Sequence, residues 1–384
     1  MDILQKIDPT LLNLPKVLEK KDKKINCVIW VVNFEEAKQH LYNLFGDDCI
    51  VGEYPFLNVL GIQIDDADLI KLSNFQWVEY VSSVQRASVF LNKARQDLDV
   101  NDLHRMGLQG QNVCIAVIDT GCYPHLDFVG GHNRIKFFKD FIHNKKIMYD
   151  DNGHGTFVAG VLGGSGLVQN GKYRGVAPSC DLVILKALNH NGETQAFTIL
   201  NAMQWIVDNH KRYDIKVVCM SFGSVPLDRN DPLIAGAKAL WENGIVVVCA
   251  SGNDGPEPKT VRSPGACPNV ITVGSSDVIK DLSEIKVALF SSRGPSFNYV
   301  KPDIIAPGVN IISTHNSTKF YTKMTGTSVS TPFVAGMSAL ILSQNKYLSP
   351  NFIKSLLMAS ALEVKEDKNA CGSGFLNARN IFLY

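Results

Sequence analysis

Between positions 113 and 273 the sequence carries five short, almost wholly apolar runs, at 113–118, 182–188, 217–221, 245–250 and 270–273. No other feature narrows the fold as much. A strand that is apolar on both sides must be covered on both faces, which is the situation of a parallel sheet packed between helices. Longer stretches at 154–162, 197–210, 231–243, 328–344 and 350–361 read as the helices. Strands alternating with helices pair in parallel through right-handed crossovers. The expected fold class is therefore α/β, a doubly wound and mainly parallel sheet. Its ligands should lie beyond the carboxyl ends of the strands.

Upstream, residues 26–82 have a rhythm of their own. A strand begins at Cys27, Ala37, Leu41 and Leu44 recur at helical spacing, and further strands are read at 59–64 and 77–81 around a helix at 66–72. The expectation is a small α+β sandwich whose thin core gains by leaning on a larger partner. We divide the chain into an extension at 1–25, this small domain at 26–82, a polar junction at 83–105 and the main domain at 106–384. The mixed charges from Lys20 to Lys24 read as a solvated linker.

Charge excludes some function classes. Lys plus Arg number 38 against 37 Asp plus Glu, a net +1, so no overall field draws the protein to nucleic acid or to an anionic membrane. The nine cysteines are odd in number and sit mostly inside apolar runs, which suggests buried thiols and a reducing compartment. Residues 1–24 contain no unbroken apolar core of a signal peptide, and no stretch is long and apolar enough to span a bilayer. We expect a soluble, cytoplasmic protein, with export by another route left open.

Three stretches carry chemistry. Asp119 closes the first apolar run, in Val117-Ile118-Asp119-Thr120-Gly121. His154 stands at a helix start between Gly153 and Gly155, small residues that admit close neighbours. Ser328 lies in Gly326-Thr327-Ser328-Val329-Ser330-Thr331-Pro332, ahead of the apolar run of a buried helix. Pro332 fits a first helical turn, and the unpaired amides there favour negative charge. Taken singly, Ser328 reads as an N-cap, Asp119 as a turn aspartate and His154 as a structural histidine.

Together these motifs, in the order Asp, His, Ser and 35 and 174 residues apart, resemble the subtilisin-like serine peptidases, whose known chain order this is. The resemblance runs from about Gly107 to Ala361. It implies a serine endopeptidase with Asp119, His154 and Ser328 as catalytic residues. Asn253, in Ser251-Gly252-Asn253-Asp254-Gly255, corresponds to the oxyanion donor. Substrate would bind as an extended strand on Ser221, Phe222 and Gly223 and on Ala250, Ser251 and Gly252. Residues 26–82 resemble the propeptide that serves many members as chaperone and inhibitor. We expect the junction to lie in the cleft and to be cut between about Ser82 and Arg95.

Peptides, proteins and the chain's own N-terminal module are thus the expected partners, with no nucleic acid and no membrane. The chemistry requires no cofactor. Many members hold a structural calcium, and Asp127 resembles one of its ligands. The loop at 163–174, however, has few carboxylates or amides, so a calcium site and a solvated surface both stay open. By the same resemblance Asp254 falls where the family often has an acidic residue near the specificity pocket, and one carboxylate on a loop fixes no preference. Gly163-Gly164-Ser165-Gly166 lacks the full dinucleotide fingerprint, and no zinc motif is present. The alternative function is an autoinhibited or regulatory pseudopeptidase. An esterase is disfavoured, because Ser328 lacks the Gly-x-Ser-x-Gly context.

Overall fold

A computed structural model describes residues 6–7, 11, 24–83, 86–89, 100–228, 230–278, 285–317 and 320–382. Most of the N-terminal extension, its lysine cluster as far as Lys23, and most of the junction lie outside the described residues.

The main domain is built on an eight-stranded sheet. Its order runs Ile285–Val287, Ile271–Val278, Val246–Ala250, Ile215–Met220, Cys114–Asp119, Asp181–Lys186, Ile135–Asp140, with Ile304–Pro307 also paired to Ile271–Val278. Neighbours are parallel except Ile285–Val287, which is antiparallel to its partner. Every residue of Cys114–Asp119 and of Val246–Ala250 is buried, as their apolar sequences require. From Cys114–Asp119 the chain first builds the sheet toward one edge, then returns to add Ile215–Met220 on the other side. The crevice at that switch point, between the end of one strand at Asp119 and the end of the other at Met220, is where such folds place their sites.

Helices His154–Gly163 and Thr327–Gln344 pack on one another, as do Ala196–Tyr213 and Pro232–Glu242. Both pairs rest on the same central strands. Thr327–Gln344 is buried from Thr327 to Leu342 and has no polar face to offer water. Its hydroxyls are satisfied within the helix where they can be: Thr331 Oγ1 donates to Thr327 O at 2.7 Å and Ser338 Oγ to Val334 O at 2.8 Å. No helix among the described residues is long and apolar enough to cross a membrane.

Residues 24–83 form a four-stranded antiparallel sheet, ordered Ile50–Tyr54, Val59–Asp65, Lys24–Val31, Val78–Ser83, with helices Phe34–Phe45 and Leu69–Ser73. Strand alternation divides its loyalties. Cys27, Ile29 and Val31 point into the module's own core with Leu41 and Ile62, while Val28, Tyr54 and Val59 belong to the core of the main domain. The Tyr54 hydroxyl donates to Phe197 O at 3.0 Å, and that of Tyr80 to Asp228 Oδ2 at 2.9 Å.

The sequence reading missed several strands. In Ile50–Tyr54 two residues are exposed and only Tyr54 is buried, so little apolar signal marks it. Ile135–Asp140 is an edge strand with two lysines, and edges tolerate charge. The helix expected at 66–72 is a 3-10 turn at Asp66–Asp68 leading into Leu69–Ser73.

Candidate active site

Asp119 is the last residue of its strand, and its carboxylate sits at the crevice. Oδ1 accepts the Thr120 N–H at 2.7 Å and faces His154 Nδ1 at 2.8 Å, with both side chains fully buried. A carboxylate can only accept, so Nδ1 must carry the proton and Nε2 presents its lone pair. Among the described residues Nε2 has no hydrogen-bond partner, although it is buried.

What holds the two in register is a residue that the sequence reading passed over. Asp150 Oδ1 accepts from the Thr120 hydroxyl at 2.9 Å and from the N–H groups of Asn152 and Gly153 at 3.1 and 2.8 Å. Its Oδ2 accepts from the Thr156 N–H at 2.9 Å and the Thr156 hydroxyl at 2.6 Å. One carboxylate thus ties the turn after Asp119 to the first turn of the His154 helix. The only local signal was an acidic turn residue ahead of a helix start. Buried Lys186 supports the same turn, donating to Thr120 O and Asp151 Oδ1 at 2.6 Å each. Two glycines permit the approach. Gly121 has φ +119° and lies against Tyr149 O, and a Cβ on Gly155 would collide with Gly121 O.

Ser328 is the second residue of helix Thr327–Gln344 and is fully buried. Pro332 corrects the sequence expectation. It lies inside the helix, beyond the first turn, where it has no N–H to offer the Ser328 carbonyl. The preceding residue, Thr327, organises the neighbouring loop. Its N–H and its hydroxyl both donate to Asn253 Oδ1, at 2.9 and 3.0 Å, and the hydroxyl accepts the Gly252 N–H at 3.2 Å. Two donors on Oδ1 set the amide's orientation, so Asn253 Nδ2 is the end that faces away from Thr327.

The cleft already contains a strand of this chain. Arg86–Val89, in the junction, runs antiparallel to Phe222–Gly223, with Val89 opposite Phe222 and Ser88 opposite Gly223. On its other side it pairs with Glu193–Gln195. Arg86–Val89 thus lies between Phe222–Gly223, named from sequence, and Glu193–Gln195, which the sequence reading missed. The backbone groups of Ser251 and Gly252 are hydrogen-bonded to other segments of the main domain. The Ser251 N–H donates to Val273 O at 2.9 Å, Ser251 O accepts from Arg262 at 2.7 Å, and Gly252 O accepts from Ser292 at 2.9 Å. Ser221, which continues Ile215–Met220, is fully buried.

Residues 110–374 match the Peptidase S8 family, described as the subtilase family. The chain belongs to the subtilase family. It is 39% identical over 322 residues to Serine protease AprX of Bacillus subtilis (strain 168), covering 77% of this chain and 72% of that protein. To the Major intracellular serine protease of the same organism it is 36% identical over 284 residues, 70% of this chain and 82% of the relative. Subtilisin DY of Bacillus licheniformis is 32% identical over 285 residues, 73% and 94% of the two chains. This subtilase is a subtilisin-like serine endopeptidase.

The calcium that the resemblance brought in does not fit this subtilase at Asp127. The Asp127 carboxylate accepts the Val168 N–H at 3.1 Å and the Tyr321 hydroxyl at 2.8 Å, and its carbonyl accepts Arg134 Nη2 at 2.5 Å. A guanidinium and two donors surround the oxygens that a cation would need. Among the described residues no group of three or more His, Cys, Asp or Glu side chains is placed to hold a metal.

Proposed function

We propose that this subtilase cleaves peptide bonds through Ser328, with His154 as general base and Asp119 as its orienting acid. The observation that carries the assignment is the buried Asp119–His154 hydrogen bond of 2.8 Å, which commits Nδ1 and leaves Nε2 as the base. Ser328 Oγ attacks the scissile carbonyl and passes its proton to His154 Nε2. The imidazolium forms beside the Asp119 carboxylate, which stabilises it without taking the proton. Charge then builds on the former carbonyl oxygen, where Asn253 Nδ2 and the Ser328 N–H are the donors. His154 returns the proton to the leaving amine, and an acyl-enzyme remains. Water, activated by the same imidazole, releases the acid. Every proton has a side-chain carrier, so this reading uses no cofactor.

The N-terminal module is read as the enzyme's own chaperone and inhibitor. Its support is twofold: the module shares the apolar core of the main domain, and Arg86–Val89 fills the cleft as an extended peptide would. Pairing proceeds from Gly223 toward Phe222 and the carboxyl edge of the sheet, which argues for a cut beyond Val89, in the later part of the range expected from sequence. All nine cysteines are buried thiols outside any disulfide, which supports the reading of a reducing, cytoplasmic setting.

The test is N-terminal sequencing of wild type and Ser328→Ala, alongside labelling with a fluorophosphonate. Wild type should acquire a new N-terminus between residues 90 and 96 and label on Ser328, while Ser328→Ala stays whole and unlabelled. A wild-type chain that stays whole and never labels would instead support the regulatory pseudopeptidase.

A further inference from the structure

A cavity of about 930 Å³ opens between the helices Pro232–Glu242 and Pro350–Ala359, the segment 267–269 and the turn 296–299. That volume falls within the range of small-molecule clefts. Its lining shares no residue with the cleft around Ser328, so a role for it goes beyond the peptidase reading and stands apart from it.

Charge is unbalanced here. Lys354 and Lys301 share a single carboxylate: Lys354 Nζ lies 2.9 Å from Asp303 Oδ1, and Lys301 Nζ donates to Asp303 Oδ2 at 2.6 Å. The Lys354, Lys301 and Asp303 side chains are largely out of water, at 16%, 1% and 7% exposed. The carbonyls of Pro268, Asn269 and Val270 accept further hydrogen bonds from Lys354 at 2.9, 3.2 and 2.8 Å, yet a dipole does not cancel a charge. One positive charge stays in excess, and a buried charge without a counter-ion is costly. Burial, and after it the Lys301 charge, holds the Lys354 ammonium down to about 8. Lys354 lines the cavity, and no carboxylate is among the lining residues.

A second wall is aromatic. Ser296 and Tyr299 exchange backbone hydrogen bonds of 2.9 and 2.8 Å, and the turn between them puts Phe297 at φ +45° and Asn298 at φ +75°. Asparagine and glycine suit such a turn, whereas a phenylalanine there is strained. Strain of this kind gathers at ligand sites. Phe297 is half-buried against the main core, Tyr299 is 53% exposed, and both line the cavity with Ile234 and Pro268. Lys238 also lines it, with a side chain 55% exposed and its Nζ 3.6 Å from Glu242 Oε1.

We propose that this cavity binds a small aromatic carboxylate, its ring against Phe297 and Tyr299 and its charge beside Lys354 and Lys238. A monoanion matches the one charge in excess, and contact between rings adds to the burial of apolar surface. The three N–H donors of Lys354 are committed to carbonyls and to Asp303, so it supplies charge. Lys238 supplies the hydrogen bond.

The test uses the full-length Ser328→Ala chain, whose cleft is filled by its own Arg86–Val89 strand, titrated with 3-phenylpropionate and with 3-phenylpropanamide and followed by ligand-observed NMR. The acid should bind with a Kd on the order of 1 mM, and the neutral amide about tenfold more weakly. Lys354→Met should weaken binding of the acid by about tenfold and leave the amide unchanged, a split that lost packing alone would not give. Glu242→Gln, at an exposed position, should tighten binding of the acid by about threefold by releasing Lys238. Equal affinity for acid and amide, or an acid Kd within about twofold of the parent chain in both variants, would overturn the assignment. Should Lys354→Met not fold, the Glu242→Gln titration decides by itself.

Discussion

Replacing Thr327 with valine keeps the outline of the side chain and deletes one oxygen, and that oxygen has two duties in the site. It donates to Asn253 Oδ1 at 3.0 Å and accepts the Gly252 N–H at 3.2 Å, while the Thr327 N–H holds Asn253 independently at 2.9 Å. Asn253 thus loses one of two anchors and keeps the other. A neutral hydrogen bond is worth about 1 kcal/mol, so less precise placement of Nδ2 should cost about fivefold in kcat. KM should change little, because the oxyanion exists only in the transition state. Asn253→Ala, which removes the donor itself, should cost about 3 kcal/mol of barrier, or more than about a hundredfold. That last figure is the one known for the equivalent donor in a subtilisin. Stability should fall as well, since the buried Gly252 N–H would lose its acceptor at a cost of about 1–3 kcal/mol. The assay is kcat and KM on processed enzyme whose active sites have been counted by titration, arranged as a double-mutant cycle. If Thr327 works through Asn253, valine should cost less than about twofold in the Asn253→Ala background. An equal loss in both backgrounds, or an Asn253→Ala enzyme within about threefold of wild type, would refute the reasoning.

Three further outcomes follow from the geometry. Asp150→Asn replaces an acceptor of five hydrogen bonds with an amide that must turn its NH2 toward groups that are themselves donors. It should destabilise the fold by about 3 kcal/mol, read as a lower denaturant midpoint, and an unchanged midpoint would count against its tying role. Tyr54→Phe removes the hydrogen bond to Phe197 O while leaving that carbonyl in a helix. It should loosen the module by about 1 kcal/mol, and fluorophosphonate labelling of unprocessed chain should quicken by up to about fivefold. Burial pushes the Cys27, Cys180 and Cys219 thiols up to about 12. Because the folded values lie above the unfolded one, their contribution is intact below about pH 8.5 and is lost as pH rises toward the folded value, at about 2 kcal/mol per thiol by pH 10. Thermal scans at pH 8 and 10 should show a lower Tm at the higher pH, and a Tm that holds steady would contradict the burial argument.

The parts of this molecule that could be read early are those whose signal is local. Val113 to Ile118 or Ile245 to Ala250 can only be interior strands, whatever surrounds them. The glycines beside His154 and Ser328 likewise advertise tight approaches within a few residues. Pro332 was misplaced because apolar periodicity continues through Thr327–Gln344 and does not mark where the first turn ends. Arg86–Val89 shows no strand pattern, and its place in the cleft is expected only from the resemblance, because it makes its strand with partners more than a hundred residues away and composition carries no trace of them.

By itself, then, the sequence determined the class of sheet and the identity of the residues brought to its crevice, because burial and backbone freedom are written into neighbouring side chains. The tertiary structure alone decided which polar groups answer each other. Asp150 could have been any turn aspartate, Thr327 any helix-starting threonine, and Lys354 any solvated cation. A hydrogen bond or ion pair depends on distances of 3 Å or so between atoms remote in the chain, and only the folded backbone sets those distances.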